Sequence, residues 1–388
     1  MKKRIVISGS YGTRNVGDEA ILTVLVERLR SRGFAIDILT FTPTETAERH
    51  PGATAVRSAV FRGSAGTIAA IRRAAALVVG GGGILQDATS LGNLLLHVSR
   101  PEMAALSGTP VVVTGVGVGP LKRSLSRWLV RRTCQIASSV DVRDAHSSML
   151  LNVIGVPEDS VVQSADFAHL LAGHSDDEMD TVGRAVVDTL RNSRQQGRRL
   201  VGLSLRPPVG NLSRRRTMTQ GDRALIESMA KIVDSIIDRH NAQLVFVSMH
   251  PDQDDPIAGL LIRQMRQQDR LSLVSGRLPP ATIKAAVAEL DVMLGTRLHS
   301  LIFAACNETP IIALAYDDKV AAYAESLGLG AQVLRRDEWQ ADRILGLVTG
   351  TLESRQSIRA QLSAAVPQLI ARAEESVDRI CASAHAKC

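Results

Sequence analysis

The sequence predicts an α/β protein built from two doubly wound parallel sheets. Short runs rich in Val, Ile and Leu alternate with segments of helical period from end to end, which is typical of parallel strands buried on both faces. The 388 residues are enough for two ordinary domains. Aromatic residues make up only 3% of the chain, so aliphatic side chains must form the core, as layered α/β packing allows.

The strand candidates fall into two sets. The first set is RIVISGS, AIDILTF, ALVVGGG, PVVVTGVGVG and VDVRD, and the second is RLVGLSLRP, AQLVFVSMH, LSLVSG, DVMLG and PIIALAY. Two such sets predict two Rossmann-like domains, at 1–175 and 198–388. The polar segment 172–199 is the predicted join. The last helices are assigned to the second domain, and the tail CASAHAKC is expected to be disordered.

Composition limits the functional classes. The net charge of +7 is compatible with anionic partners and equally with a merely basic surface. Four cysteines without a CxxC pair favour a reducing, cytoplasmic setting. The first apolar run is shorter than the ~7–15 residues of a signal peptide, and no stretch approaches the ~20 residues of a membrane span. Any membrane contact is therefore expected to be peripheral, at the cytoplasmic face.

Ligands of open parallel sheets bind beyond the carboxyl ends of the strands, and two such sheets are expected to face a cleft. The first strand is followed by GSYGTRNVGDEAIL (9–22), whose glycines allow close approach to a helix N-terminus that can bind an anion. A dinucleotide site is not expected, because the spacing departs from GxGxxG. Asn15 is a candidate acceptor or loop residue. Glu19 is interpreted as a first-turn helix residue, whereas Asp18 is open between that role and catalysis.

The second glycine-rich stretch is GGGGILQDATS (80–90). Four glycines after a buried strand exceed what a turn needs, and they let a ligand lie against the main chain. Gly82, Gln86 and Asp87 are therefore candidates for contacts with an acceptor molecule or with a neighbouring loop.

A third set consists of basic or titratable residues that follow strands. Its members are Arg143, Arg206, His250, Arg297, His299 and Lys319. Arg297 and Lys319 fall at helix N-termini, where the helix dipole disfavours a cation by ~0.3–1 kcal/mol, and a bound anion would reverse that cost. Asp317 and Asp318 offer Lys319 a local explanation, whereas no acidic residue is near Arg297 in the sequence.

His299 has two interpretations. A lone histidine on an apolar helix is commonly a satisfied core residue. At a helix N-terminus the dipole favours the neutral imidazole, and a bound phosphate or carboxylate would favour its protonated form. His299 is thus a candidate general acid that its own substrate activates.

Taken together, these stretches resemble the polysaccharide pyruvyl transferase family, most closely its CsaB type. The matching motifs are GSYGTRNVGDEAIL, GGGGILQD.TS, GVGVGP, VRD..S, SLRP, TRLHSLIFA and YDDKV, in family order. The resemblance implies a GT-B-like pair of domains and pyruvyl transfer from phosphoenolpyruvate as co-substrate, with phosphate released. It places the donor site on Arg143, Arg297, His299 and Lys319. The implied acceptor is a lipid-linked or polymeric saccharide of the N-acetylmannosamine type, in a pathway that anchors surface-layer proteins.

Three departures from the family pattern concern mainly the acceptor. The chain has Gly83-Ile84 where the family usually has Ser-Leu, LGNLLLH where it has an aromatic-rich stretch, and Asp317-Asp318-Lys319 where it commonly has Asp-Pro-Lys.

The mechanism we hypothesise for this reaction has His299 protonating the donor's methylene carbon. Arg143, Arg297 and Lys319 hold the donor's anionic groups, with Arg206 second in rank, and Asp18 or Asp87 accepts a hydroxyl proton. No metal or further cofactor is expected. Two alternatives remain, namely a GT-B glycosyltransferase using a nucleotide sugar and a non-enzymatic nucleotide-binding module. The few aromatic residues and the scattered arginines argue against a nucleic-acid partner.

Overall fold

The computed structural model describes residues 2–59, 64–206 and 220–386. They form two compact units, one of Met1–Thr13, Gly17–Leu171 and Gln368–Cys388 and the other of Arg14–Val16 and Ala172–Pro367. Each unit contains one sheet, and the strand pairs in both are parallel. The predicted class, two doubly wound α/β domains, is confirmed.

The first unit has a seven-stranded sheet in the order β3-β2-β1-β4-β5-β6-β7. Its strands are β1 Arg4–Ser8, β2 Ala35–Thr40, β3 Thr54–Arg57, β4 Ala76–Leu85, β5 Val111–Val118, β6 Ser139–Val142 and β7 Val161–Gln163. The helices between them are α1 Val16–Ser31, α2 Pro43–Arg49, α3 Ala65–Arg72, α4 Leu91–Leu106, α5 Ser124–Ile136 and α6 Ala145–Val153. The order reverses between β1 and β4, which makes their carboxyl ends the switch point where ligands bind in such sheets.

The second unit has a six-stranded sheet in the order β10-β9-β8-β11-β12-β13. Its strands are β8 Arg199–Ser204, β9 Ala242–Val247, β10 Leu271–Val274, β11 Val292–Gly295, β12 Ile311–Ala315 and β13 Val333–Arg335. Its helices are α7 Thr181–Gln195, α8 Gln220–His240, α9 Pro251–Gln264, α10 Pro280–Ala288, α11 Leu298–Cys306, α12 Asp318–Ser326 and α13 Ala341–Glu353. The switch point here lies between β8 and β11.

The last helix, α14 Arg355–Ala386, departs from the sequence-based domain bounds, because its second half belongs to the first unit. Glu374 there pairs with Arg28 of α1 at 3.0 Å, and Ser376 donates a hydrogen bond to Asp141 of β6. The tail expected to be disordered is helical through Ala386. Long-range ion pairs of this kind are not visible in sequence periodicity.

The predicted join also differs from the structure. Helix α7 lies within 172–199 and belongs to the second unit, where its buried Val187 and Leu190 place it on the core side next to α10. The boundary therefore falls at Leu171. Among the helices of the described residues, none combines the length and the apolarity needed to cross a membrane.

Candidate functional site

The carboxyl edge of the first sheet carries the two glycine-rich stretches. Strands β1, β4, β5 and β6 are neighbours, so the residues that follow them meet at one edge. Gly82 adopts a φ of +75°, and a Cβ atom there would lie 2.6 Å from Oδ1 of Asp18. Only glycine therefore lets the largely buried Asp18 carboxylate approach this turn. The structure brings these two predicted site residues together.

Arg143 follows β6 and is only 6% exposed. Its Nη1 donates to Oδ2 of Asp166 at 2.8 Å, and its Nε donates to Asp144 at 3.4 Å. Burial acts to lower the pKa of Arg143, but Asp166 and Asp144 outweigh it and raise the pKa above its ordinary value. A Cβ atom on Gly117 would lie 2.8 to 3.0 Å from the guanidinium, so this glycine is required for the pairing.

The charge of Arg143 is thus compensated inside its own unit. The sequence predicted a cation ready for a donor anion, whereas the structure shows an arginine between two carboxylates. Asp166 was missed because it follows β7, a three-residue edge strand with no apolar run. The role of Arg143 in holding the donor's anionic groups stays a prediction.

Two further titratable groups lie behind this edge. Tyr11 is 1% exposed and its hydroxyl donates to the carbonyl oxygen of Gly80 at 2.6 Å. Burial, with Asp18 and Glu19, raises the pKa of Tyr11 well above its ordinary value. Glu19 accepts a hydrogen bond from the N–H of Gly12 at 2.8 Å. Burial raises the pKa of Glu19 to about 7 although this bond and Arg49 oppose it. Glu19 therefore closes the glycine-rich loop, which goes beyond the predicted first-turn role.

The other candidates in the two glycine-rich stretches are Asp87, Gln86 and Asn15, and the first two form hydrogen bonds within loops. Asp87 accepts backbone hydrogen bonds from Lys122 and Arg123 at 2.9 to 3.1 Å. Burial acts to raise the pKa of Asp87, but these contacts outweigh it and hold the pKa below its usual range. Asp87 is therefore a poorer proton acceptor. Gln86 exchanges hydrogen bonds with Thr89. Asn15 lies directly before α1 and is partly buried.

The carboxyl edge of the second sheet gathers the remaining candidates. The candidates that follow its strands are His250 after β9, Arg206 after β8 and Arg297 after β11. A further residue, Tyr316, follows β12, and the four strands are neighbours in the sheet. Thr296 links two of these ends, because its hydroxyl accepts from the Arg206 N–H at 2.8 Å and lies 3.2 Å from the Ser204 carbonyl oxygen to which it donates.

Arg297 is the N-cap residue of α11 and is paired with an acid. Its Nη2 lies 2.5 Å from Oδ1 of the fully buried Asp254, and its Nε lies 3.2 Å from Oδ2. Asp254 also accepts the N–H groups of Met249 and His250. The expectation that Arg297 lacks an acidic neighbour is thus wrong. Asp254 lies 43 residues earlier in the sequence, and the fold brings it into contact with Arg297.

The two histidines differ in their surroundings. His250 caps α9, and burial together with Arg297 lowers the pKa of its imidazole, which favours the neutral form. Within the described part of the chain, its Nδ1 is buried and has no hydrogen-bond partner. His299 lies in the first turn of α11, two residues after Arg297, and is partly exposed.

Tyr316 organises the last two cations and was not among the predicted residues. Its hydroxyl accepts a hydrogen bond from Arg206 at 2.6 Å, and the Arg206 guanidinium lies 5.1 Å from the ring centroid. The Lys319 ammonium lies 6.0 Å from the same centroid and 2.9 Å from Oδ2 of Asp317. Burial acts to raise the pKa of Asp317, but Lys319 and Arg206 outweigh it and lower the pKa below its ordinary value. Three residues of the motif YDDKV thus form one charged cluster with Arg206, which we call the Tyr316 cluster (Arg206, Tyr316, Asp317 and Lys319).

The two edges differ in chemistry. The first combines carboxylates with one compensated arginine and suits proton transfer from a hydroxyl group. The second combines three cations with two imidazole rings, and although Asp254 and Asp317 pair with two of the cations, its remaining positive charge suits an anionic ligand. Among residues 2–59, 64–206 and 220–386, no three His, Cys, Asp or Glu side chains are grouped so that they could hold a metal ion.

Comparison with known proteins adds family and fold. The profile described as polysaccharide pyruvyl transferase matches residues 15–318. The amylovoran biosynthesis protein AmsJ of Erwinia amylovora is 23% identical over 280 residues, which cover 70% of this chain and 65% of that protein. The chain thus spans about two thirds of the length of that curated relative.

Solved structures resemble the whole chain at low identity. S. aureus MnaA with UDP has a TM-score of 0.64 at 12% identity and covers 98% of this chain and 95% of its own. A UDP-GlcNAc 2-epimerase from Neisseria meningitidis has a TM-score of 0.60 at 11% identity, and the match covers 98% of this chain and 100% of that chain. Anabaena HepE with UDP and glucose has a TM-score of 0.59 at 12% identity, and the match covers 98% of this chain and 99% of that chain. At these identities the likeness shows the fold alone, and it confirms the GT-B-like fold class.

Proposed function

Because the chain belongs to the polysaccharide pyruvyl transferase family, we propose that it transfers a pyruvyl group from phosphoenolpyruvate to a saccharide. The product is a ketal that bridges two sugar hydroxyls, and inorganic phosphate is released. The observation that carries this proposal is the set of cations at the carboxyl edge of the second sheet. Phosphoenolpyruvate has a phosphate and a carboxylate on one small skeleton, so it needs several cationic donors at once.

The Tyr316 cluster and Arg297 supply these donors. Lys319 and Arg206 approach the same ring, and a phosphate there would gain two charge-assisted contacts. Arg297 is oriented by Asp254, and a guanidinium held in this way is pre-organised for a carboxylate. The N–H groups of the α11 and α12 first turns add further donors.

The chemistry we assign begins with His299, which gives a proton to the methylene carbon. The carbon that bears the phosphate then becomes electron-deficient and is attacked by the first sugar hydroxyl, which loses its proton to a general base. Phosphate leaves with the electron pair of its bond to carbon. The second hydroxyl attacks the same carbon, closes the ketal and returns its proton to the imidazole of His299.

The acceptor is assigned by class. AmsJ is, by its name, a protein of amylovoran biosynthesis, which supports an exopolysaccharide or cell-wall saccharide. An N-acetylmannosamine-type sugar on a lipid-linked precursor, the CsaB type, surface-layer anchoring and a cytoplasmic location stay predictions. A lipid-linked acceptor requires the protein to reach a membrane surface.

The test measures phosphate release from phosphoenolpyruvate across a panel of lipid-linked and synthetic glycosides. His299→Gln should abolish turnover while phosphoenolpyruvate still binds. Arg206→Met should raise KM for phosphoenolpyruvate at least tenfold. The matched control is Arg343→Met, which removes an exposed arginine of the same unit and should change neither value. Undiminished turnover in His299→Gln would refute the acid assignment.

The shared fold favours one alternative, a glycosyltransferase using a nucleotide sugar, since HepE is described with UDP and glucose. Calorimetric titration with phosphoenolpyruvate, UDP-sugars and GDP-sugars separates the two. Binding and turnover of a nucleotide sugar, without binding of phosphoenolpyruvate, would establish the alternative. Binding of a nucleotide without any turnover would indicate the non-enzymatic nucleotide-binding module.

A further inference from the structure

Helix α5 has one buried and one exposed face, and the exposed face is unusual. Ser126, Val130 and Thr133 are buried on the inner side. On the outer side Leu125 is 50% exposed and Trp128 is 59% exposed. These two side chains are three residues apart and therefore neighbours on the helix surface. A large indole exposed beside a leucine is costly in water unless a partner covers it.

The charged side chains that α5 itself carries on this face are all basic. Residues 103–140 contain no acidic residue. The basic residues of this stretch are all exposed, and they are Lys122, Arg123, Arg127, Arg131 and Arg132. Two of them have acidic partners elsewhere, Arg123 with Asp87 at 3.6 Å and Arg132 with Glu102 at 3.0 Å. The surface is thus basic, with apolar side chains interleaved.

The next helix along the chain, α6, carries further exposed apolar side chains. Met149 is 60% exposed and Val153 is 75% exposed, and their spacing of four residues puts them on one face. The guanidinium of Arg131 lies against Gly155, since a Cβ atom there would be 3.1 Å from Nη1. The outer face of α5 is therefore adjacent to the carboxyl end of α6. We call the two together the α5–α6 surface.

We propose that the α5–α6 surface binds an anionic lipid bilayer. Leu and Trp side chains that alternate with arginines match the interface between headgroups and acyl chains, where indole rings and cationic side chains both lie favourably. A nucleic acid would use the cations but leave Leu125, Met149 and Val153 in water. A second copy of the chain paired through this surface would bring arginines against arginines. The bilayer is the partner that uses both features.

The proposal concerns a surface distinct from the donor residues of the second unit. It names the membrane contact that a lipid-linked acceptor requires, but it does not depend on pyruvyl transfer. A failure of vesicle binding and a failure of turnover are therefore separate results.

The experiment is sedimentation of the full chain with vesicles of phosphatidylcholine alone and of equal parts phosphatidylcholine and phosphatidylglycerol. The wild type should bind the mixed vesicles, and added salt should weaken the binding. Replacing Arg127 and Arg131 by Gln should weaken partition roughly 30-fold, since each basic side chain near an anionic surface contributes roughly fivefold. The control replaces Arg184 and Arg343 by Gln, which removes two exposed arginines of the second unit and should leave vesicle binding unchanged.

The fluorescence emission of Trp128 provides a second measurement, which should not change on vesicles if Trp128 has only a structural role. The chain has two tryptophans, so in a Trp339→Phe background the emission reports Trp128 alone. It should shift to shorter wavelength on mixed vesicles, and Leu125→Ser should reduce the shift and the binding. Equal binding to both vesicle types, or no shift, would overturn the proposal. Tight binding to RNA that Leu125→Ser does not affect, without vesicle binding, would assign the surface to nucleic acid instead.

Discussion

Replacing Glu19 by Gln tests the electrostatics of the first unit most directly. Glu19 is 3% exposed, and burial raises its pKa from 4.5 to about 7. The folded state therefore holds its proton more tightly than the unfolded chain does. The contribution of Glu19 to the free energy of unfolding is fully present below pH 4.5 and is lost as the pH rises towards 7. The loss is about 3 kcal/mol in all, since a tenfold change in an ionisation constant is about 1.4 kcal/mol.

Glutamine mimics the protonated acid and still offers an oxygen to the N–H of Gly12. Glu19→Gln should therefore match the wild type near pH 4.5 and exceed it at pH 8 by up to ~3 kcal/mol. For a unit of this size that corresponds to a rise in Tm of roughly 6–12 °C.

The assay is differential scanning calorimetry at steps from pH 4.5 to pH 8.5. Glu48→Gln is the matched control, since Glu48 is exposed on the neighbouring helix α2, and it should not reproduce the gain in stability at pH 8. A constant difference for Glu19→Gln, or a wild type that is the more stable protein at pH 8, would refute the reasoning. It would show that Arg49, 3.9 Å from the carboxylate, stabilises the ionised acid more than burial disfavours it.

Three further predictions concern buried contacts. Burial lowers the pKa of His97 to about 3, so it contributes stability above pH 6.5 that is lost as the pH falls towards 3. His97→Gln should flatten this part of a Tm profile measured in acid. Gly117→Ala should push Arg143 aside and cost about 1–3 kcal/mol in thermal melts, whereas Gly346→Ala, in open space within a helix, should stabilise slightly. Asp254→Asn should cost about 3–5 kcal/mol in the same melts, because it removes the buried carboxylate that balances the charge of the partly buried Arg297 guanidinium, and an unchanged Tm would contradict that role.

The strands that the sequence predicted are those inside the sheets, together with β10. The three that it missed, β3, β7 and β13, are all sheet edges of three or four residues. An edge strand is covered on fewer sides, so it lacks the continuous apolar run that identifies an interior strand. Its existence depends on the neighbour with which it pairs, and this is a tertiary property.

The candidate residues divide in a similar way. Their place at the carboxyl edges follows from the alternation of strands and helices, which the sequence contains. Their partners do not, because Asp254 and Arg297 are separated by 43 residues and Arg143 and Asp166 by 23. Only folding decides which acid neutralises which base.

This pairing changes the order of importance among the proposed donor residues. Arg297 and Asp254 sum to zero charge, whereas Arg206, Lys319 and Asp317 sum to one positive charge around Tyr316. A phosphate dianion is drawn to net charge, while a guanidinium fixed by a carboxylate mainly provides direction. For the donor site we propose, the Tyr316 cluster is therefore the better candidate for the phosphate subsite, and Arg297 the better candidate for the carboxylate subsite. Arg206, which the sequence ranked second, should then affect phosphoenolpyruvate affinity more than Arg297 does.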